Sequence, residues 1–421
     1  MTIDAATFAA RCAADPELQM AARYWTGGLR FVIGEVAIGF TTTDGVISSD
    51  VPGQGEGVIT VTGPAEMWQS LMAPTPAPYA QMSVLTSRGD SGLDRSATDQ
   101  TLYWQYSPAV ERASELLRAP GGEQAPRRNE GSGQRIDSPI GGYLHVELDL
   151  PGARAVDHRI YYETAGQGIP LLLQHTAGAH SLQWRHLFEM SEITDHFQLV
   201  AYDLPYHGKS IPPVDQTWWE QEYKLEGDFL RQIPVAVAAG LGLDRPAFMG
   251  CSVGGLLALD LALHHPDVFR AVISVEGGLH IGGNWESLHG FWNPQVSNQS
   301  KARLMEALCA PNSPTAYVKE VSQVYSAGWP PAFIGDLWYY MVDYDLRARA
   351  SDIDTSKVGV HILNGEYDFS GSVAHGQAAH EAIAGSTHTV MTDMGHFPMQ
   401  ENPLAFAEYL APILDQIRQP A

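Results

Sequence analysis

The 421-residue sequence predicts an α/β protein: a mainly parallel sheet with helices on both faces and a long inserted segment, preceded by a small α+β unit. Three observations predict it. Beyond about residue 143, short apolar runs alternate with helical stretches, the pattern of a parallel sheet covered on both sides. Between about residues 277 and 352 a long, aromatic-rich insertion interrupts that alternation. Residues 119–142, "APGGEQAPRRNEGSGQRIDSPIGG", are rich in Gly, Pro and charge, lack apolar periodicity, and read as a linker between two units.

The first unit, residues 1–118, opens with a helical stretch reaching Trp25. It continues with "GLRFVIGEVAIGFTTTDGVISSD" and "GEGVITVTG", where apolar and polar residues alternate between Gly and Asp-Gly breaks, which reads as antiparallel strands. Helical pieces follow at "GPAEMWQSLMA" and "SPAVERASELLRAP". No acid, base or metal-ligating cluster stands out in this unit.

In the second unit, residues 143–421, "GYLHVELDL" and "HRIYYETAG" predict two opening strands that form an antiparallel edge. "PLLLQH", "FQLVAYDL", "RPAFMG", "AVISVE", "VGVHILNG" and "STHTVMT" predict buried strands. Helices are predicted at "HSLQWRHLFEMSE", "LEGDFLRQIPVAVAAGLG" and "GGLLALDLALHHP".

Composition limits the partners. The net charge of -23 repels nucleic acid and anionic membrane surfaces. The three cysteines, Cys12, Cys251 and Cys309, are far apart and form no C-x-x-C pair, so the sequence signals no disulfide framework, no metal site and no cofactor. The N-terminus lacks a basic start followed by an apolar core, and no apolar run reaches the ~18 residues of a membrane helix. A cytoplasmic location is the expectation.

The chemistry gathers around Gly250-Cys251-Ser252-Val253-Gly254, which lies between a predicted strand and a predicted helix. A sharp strand-to-helix turn there would expose the Ser252 hydroxyl as a nucleophile. Such a hydroxyl needs a base oriented by an acid, in the chain order Ser, Asp or Glu, His. His396 follows the last predicted strand and is the candidate base, whereas His264, His265, His375 and His380 fall on predicted helices. Asp368, in the loop after the preceding strand, is the first choice of acid, and Glu276, at the end of the strand after the turn, is the alternative. The N–H of Val253 and that of Ala177, in the loop His175-Thr176-Ala177-Gly178, are the expected oxyanion donors. Cys251 should point into the sheet as a packing residue.

"LLLQHTAG", "VAYDLPYHGKS", "MGCSVGG", "LNGEYD" and "GHFPMQENP" follow one another as do the motifs of the α/β-hydrolase superfamily, which the chain resembles from about Gly141 to its C-terminus. Thr176 and Tyr206 stand where that family usually has Gly, and His207 is expected to stabilise its turn. A serine nucleophile speaks against the branches that use Asp. The resemblance implies a helical cap over the site at 277–352. Thr176, Trp292, Trp329, Trp338 and Tyr340 are expected to bind a small hydrophobic or aromatic substrate. The implied activity is hydrolysis of a carboxylic ester or lactone; carbon-carbon hydrolysis of a vinylogous diketone, or ligand binding without catalysis, stays open. The order of elements in the first unit, with "VTGPAEMWQSL", resembles the sterol-carrier-protein-2-like family, implying an apolar tunnel, while a docking or oligomerisation module, hence a homodimer, is an equal reading.

Overall fold

A computed structural model describes residues 4–87, 92–118, 137–150 and 152–419. Most of the expected linker, residues 119–136, lies outside the described residues. The chain divides into two compact units: residues 1–124 together with 290–312, and residues 125–289 together with 313–421.

In the first unit two short helices, Ala5–Ala14 and Pro16–Ala21, start where Asp4 and Asp15 side chains accept the N–H groups of Thr7 and Leu18. Four strands follow: β1 (Gly27–Ile33), β2 (Val36–Thr43), β3 (Val46–Ser48) and β4 (Val58–Gly63), in the spatial order β3-β2-β1-β4. The first three form an antiparallel meander, but β4 pairs with β1 in parallel, contrary to the antiparallel expectation. Alternation of apolar and polar residues records one-sided burial; it carries no information on strand direction. Phe8, Trp25, Phe31, Phe40 and Trp68 fill the core on the sheet, with the helix Gln100–Leu116.

The segment 290–312 completes this unit. Its helix Asn298–Glu306 runs against Gln100–Leu116: the Trp104 and Phe291 rings lie 4.5 Å apart, Ser300 Oγ donates to the Trp104 carbonyl at 2.5 Å, and Arg303 is hydrogen-bonded to Glu115.

In the second unit β5 (Ile140–Leu150), β6 (Ala153–Gly166), β7 (Ile169–Gln174), β8 (Phe197–Tyr202), β9 (Ala247–Cys251), β10 (Ala271–Val275), β11 (Gly359–Gly365) and β12 (Thr387–Met391) form one sheet, ordered β12-β11-β10-β9-β7-β8-β6-β5. The expected antiparallel edge is β5 and β6: β5 pairs with β6, and β6 with β8, antiparallel, while the remaining pairs, that of β7 with β8 included, run parallel. The chain passes from β7 outward to β8 and then crosses back to β9 on the other side of β7. This reversal creates a switch point, and in open α/β sheets ligands bind at the carboxyl ends of the strands there. Register brings those ends level: Gln174 stands opposite Gly250, Cys251 opposite Val275, and Gly365 opposite Met391. Loops carrying residues 175–178, 252, 276, 368 and 396 therefore open on one edge of the sheet. The helix Val253–His264, apolar all round, is buried from Val253 to Ala262.

Candidate active site

Ser252 sits at the turn from β9 into the helix Val253–His264 with φ 60° and ψ -114°, a left-handed backbone that costs a non-glycine residue about 1–3 kcal/mol. The flanking glycines let the turn close. A Cβ on Gly250 would lie 2.3 Å from the Gly254 carbonyl oxygen, and one on Gly254 would lie 2.8 Å from the Gln174 side chain. The first helical N–H, that of Val253, has no intrahelical acceptor and points with the helix dipole toward the turn. Among the described residues the Ala177 N–H makes no hydrogen bond either.

His396 is buried and its Nδ1 lies 2.7 Å from Asp368 Oδ2, which leaves Nε2 as the free ring nitrogen. Asp368, 0 % exposed, also accepts from Ser370 N at 2.8 Å and Gly371 N at 2.9 Å. Burial alone would raise the Asp368 pKa, but the neighbouring His396 and these donors bring it below the usual carboxylate value. Glu276 does not reach His396. It stands behind Asp368, takes the Gly365 N–H on both oxygens at 2.8 and 2.9 Å, and shares a hydrogen bond with Asp368. Burial, and then the Asp368 charge, push Glu276 well above the ordinary range, so it is the neutral member of the pair. Glu276 also has a left-handed backbone, φ 52°.

The turn and the histidine loop are neighbours: Cys251 Sγ donates to the His396 carbonyl at 3.2 Å. Among the described residues Ser252 Oγ makes no hydrogen bond to His396, a separation common before substrate binds. The Ser252 hydroxyl lies instead within reach of Tyr340 Oη, which is also 2.9 Å from Ser370 Oγ. Cys251 is fully buried and its thiol is pushed well above its usual value by burial, so it is no rival nucleophile. Glu401, also buried, accepts from Gly395 N at 2.8 Å and Phe397 N at 3.2 Å and so holds the loop on either side of His396.

Of the five expected substrate contacts, Tyr340 lies within hydrogen-bonding reach of the Ser252 hydroxyl. Thr176 is consumed internally, its N–H going to Gln183 Oε1 at 3.0 Å and its hydroxyl to Gln183 and Tyr325. Trp292 belongs to the first compact unit and is 44 % exposed. Trp329 stacks on Tyr206 with centroids 6.1 Å apart, and Trp338 packs on Trp285. An aromatic ring in a cap sequence serves packing as readily as ligand contact, and sequence does not separate the two. Tyr206, where the related pattern has Gly, keeps the left-handed backbone that Gly would supply, φ 75°. His207 bonds Pro205 O and Asp336; Asp336 escaped sequence reasoning, although a lone carboxylate in the apolar run "PPAFIGDLW" is a signal.

The comparisons with known proteins agree with this architecture. A profile described as the alpha/beta hydrolase fold matches residues 169–306. A pimeloyl-[acyl-carrier protein] methyl ester esterase of Vibrio vulnificus is 26 % identical over 267 residues, 60 % of this chain and 96 % of that protein. A thermophilic esterase from Thermogutta terrifontis superposes with a TM-score of 0.57 at 17 % identity, covering 66 % of this chain and all of the esterase. An enol-lactonase from Burkholderia xenovorans superposes with a TM-score of 0.51 at 20 % identity, covering 64 % and 99 %. Such identities carry the fold and not the substrate. With the profile and the curated relative taken together, this chain has the α/β-hydrolase fold and is a hydrolase enzyme.

Proposed function

We propose that the chain is a serine hydrolase that cleaves a carboxylic ester or lactone of a hydrophobic or aromatic substrate through an acyl-enzyme. The observation that carries this reading is the strained Ser252 beside the 2.7 Å pair of His396 and Asp368. In the first half-reaction His396 Nε2 takes the Ser252 proton as Oγ bonds to the substrate carbonyl carbon. The Val253 and Ala177 N–H groups stabilise the oxyanion, and His396 returns the proton to the leaving alkoxide as its bond to carbon breaks. Water activated by the same imidazole then releases the acid. Asp368 stabilises the imidazolium in both halves, and the neutral Glu276 holds Asp368 from behind.

Two points favour an ester or lactone. The curated relative is named for a methyl ester and two solved neighbours for esterase and enol-lactonase activity. The buried rings Tyr325, Phe333 and Phe397, grouped near Thr176 and His396, suit an apolar acyl or alkyl group. Among the described residues no helix is long and apolar enough to cross a membrane. For the first unit we retain the sterol-carrier-like reading, an apolar binding or oligomerisation module serving the hydrolase.

Labelling with a fluorophosphonate and turnover of short p-nitrophenyl esters test the reading, with Ser252→Ala as control. Labelling and turnover that vanish in the variant are expected. A wild type that neither labels nor hydrolyses any ester overturns it.

A further inference from the structure

Asp336 is the one charged residue in the helix Pro330–Trp338, and it is 0 % exposed. Its Oδ2 accepts from Gly178 N at 2.8 Å and faces His207 Nε2 at 2.7 Å, while Oδ1 accepts from Tyr223 Oη at 3.1 Å. The other nitrogen of His207, Nδ1, lies 2.9 Å from the Pro205 carbonyl oxygen. A carbonyl can only accept, so Nδ1 carries a hydrogen. A carboxylate that already takes an amide and a phenol hydrogen bond is held in its ionised form, so Nε2 carries one as well. The pair is thus an imidazolium facing a carboxylate, both buried. A buried pair of this kind adds little net stability but is costly to break, which suits a device for fixing geometry.

Besides His207 and Tyr223, Asp336 holds Gly178, the residue after Ala177. The cap helix packs directly on it, since a Cβ at Gly178 would lie 2.7 Å from Phe333 Cβ. The same helix is tied to the segment before the helix Gly227–Gly240 by Leu225 N, which donates to Gly335 O at 3.0 Å. We propose that Asp336 and His207 form a buried charged lock through which the cap helix completes the oxyanion loop. Seating residues 330–338 fixes Gly178 and thereby aims the adjacent Ala177 N–H. Both are positioning residues; neither touches the reacting atoms. The inference rests on the oxyanion role given to Ala177 above. It links cap closure to catalysis, because an open cap leaves one oxyanion donor without its fixed geometry.

The other titratable groups around His207 fit a persistent imidazolium. Burial depresses its basicity, but Asp336, the Pro205 carbonyl and Asp203 outweigh it and the pKa is raised. His175, with its ring 5.0 Å away, is neutral by geometry: Nδ1 faces the Thr176 carbonyl at 2.8 Å and Nε2 accepts from Leu204 N at 3.0 Å. Burial and the His207 charge hold His175 down at about 3, and burial lowers His180. Burial raises both Tyr206 and Tyr223, and the Tyr223 hydroxyl stays a neutral donor to Asp336.

Nitrogen-15 NMR of the full-length chain, with His207→Gln to assign the signal, should show both His207 nitrogens protonated at pH 8; a neutral tautomer overturns the lock. Asp336→Asn should lower kcat about 100-fold with KM within threefold of wild type, the signature of a lost transition-state donor and not of lost binding. Tyr223→Phe, which removes one hydrogen bond and leaves the helix core intact, should lower kcat about 3- to 10-fold in the same way. Unchanged kcat in both variants, or a loss confined to KM, overturns the positioning role. If the wild type hydrolysed no ester the functional reading would fail separately. The NMR signal, and faster hydrogen exchange of the Gly178 amide in Tyr223→Phe, would still decide whether the lock exists.

Discussion

Replacing Asp368 by Asn separates the two candidate acids, and its effect follows from the hydrogen bonds. Oδ2 serves both His396 Nδ1 and Gly371 N, and Oδ1 serves Ser370 N, so with the Glu276 carboxyl the carboxylate faces four donors. An amide has one oxygen. In one orientation its NH2 meets the Ser370 N–H. In the other it meets the Gly371 N–H and His396 Nδ1, which forces the imidazole to carry its proton on Nε2, where it cannot accept one from Ser252. In both orientations the imidazolium formed during acyl transfer loses its counter-charge in a buried site. The expected loss in kcat is about 10³- to 10⁴-fold, or about 4–5.5 kcal/mol in the barrier. Glu276→Gln replaces a neutral acid by a neutral amide that can still accept from Gly365 and donate to Asp368, so less than a tenfold loss is expected. The assay is p-nitrophenyl butyrate hydrolysis at pH 8, with thermal melting run in parallel to show that both variants are folded. Asp368→Asn retaining more than a tenth of wild-type kcat, or Glu276→Gln falling as far as Asp368→Asn, refutes the reasoning.

Further outcomes follow from other sites. Gly250→Ala forces a Cβ to 2.3 Å from the Gly254 carbonyl oxygen, and the cost should reach or exceed ~3 kcal/mol, read as a fall in the urea midpoint. Tyr206→Ala keeps the left-handed strain and loses the rings packed on Tyr223 and Trp329, so it should be less stable than Tyr206→Gly by about 1 kcal/mol; an order reversed in melting experiments contradicts the strain at this position. Glu111, buried in the first unit, is pushed up to about 7 chiefly by burial. Below about pH 4.5 it is protonated in both states and contributes no slope. Between about pH 4.5 and 7 the unfolded chain releases its proton first, so stability should fall as pH rises, by up to about 3 kcal/mol, and Glu111→Gln should flatten that part of the profile. Cys251→Ala should keep kcat within tenfold of wild type, and iodoacetamide should leave the native Cys251 thiol unmodified by mass spectrometry.

Much of the second unit is legible because its strands are buried on both faces, and short apolar runs between helices encode that burial directly. Ser252, Asp368 and His396 stand out as candidates for a related reason: each comes just past a strand end, and a parallel sheet brings all such ends to one edge. What escapes is tertiary. The parallel pairing of β4 with β1 leaves no trace in alternation. The order of Asp368 and Glu276 depends on which carboxylate meets an imidazole, a matter of ångströms that spacing does not encode. Asp336 and His207 lie 129 residues apart, and neither sits in a pattern that names the other. Among the cap aromatics, Trp292 and Tyr340 look alike in sequence and differ only in where the chain carries them.

The discontinuity of the first compact unit bears on how the gene can be cut. A protein divided near residue 120 would yield an N-terminal piece lacking the helix Asn298–Glu306 and the Phe291 ring that lies on Trp104. The C-terminal piece would carry Ala302, Met305 and Leu308, all buried in the intact chain, with their packing partners removed. Neither fragment inherits a closed core, so each should be prone to aggregation when expressed alone, and mixing the two should restore solubility. A dissection that respects the fold would delete residues 290–312 together with the N-terminal unit and join the chain ends with a short polar linker.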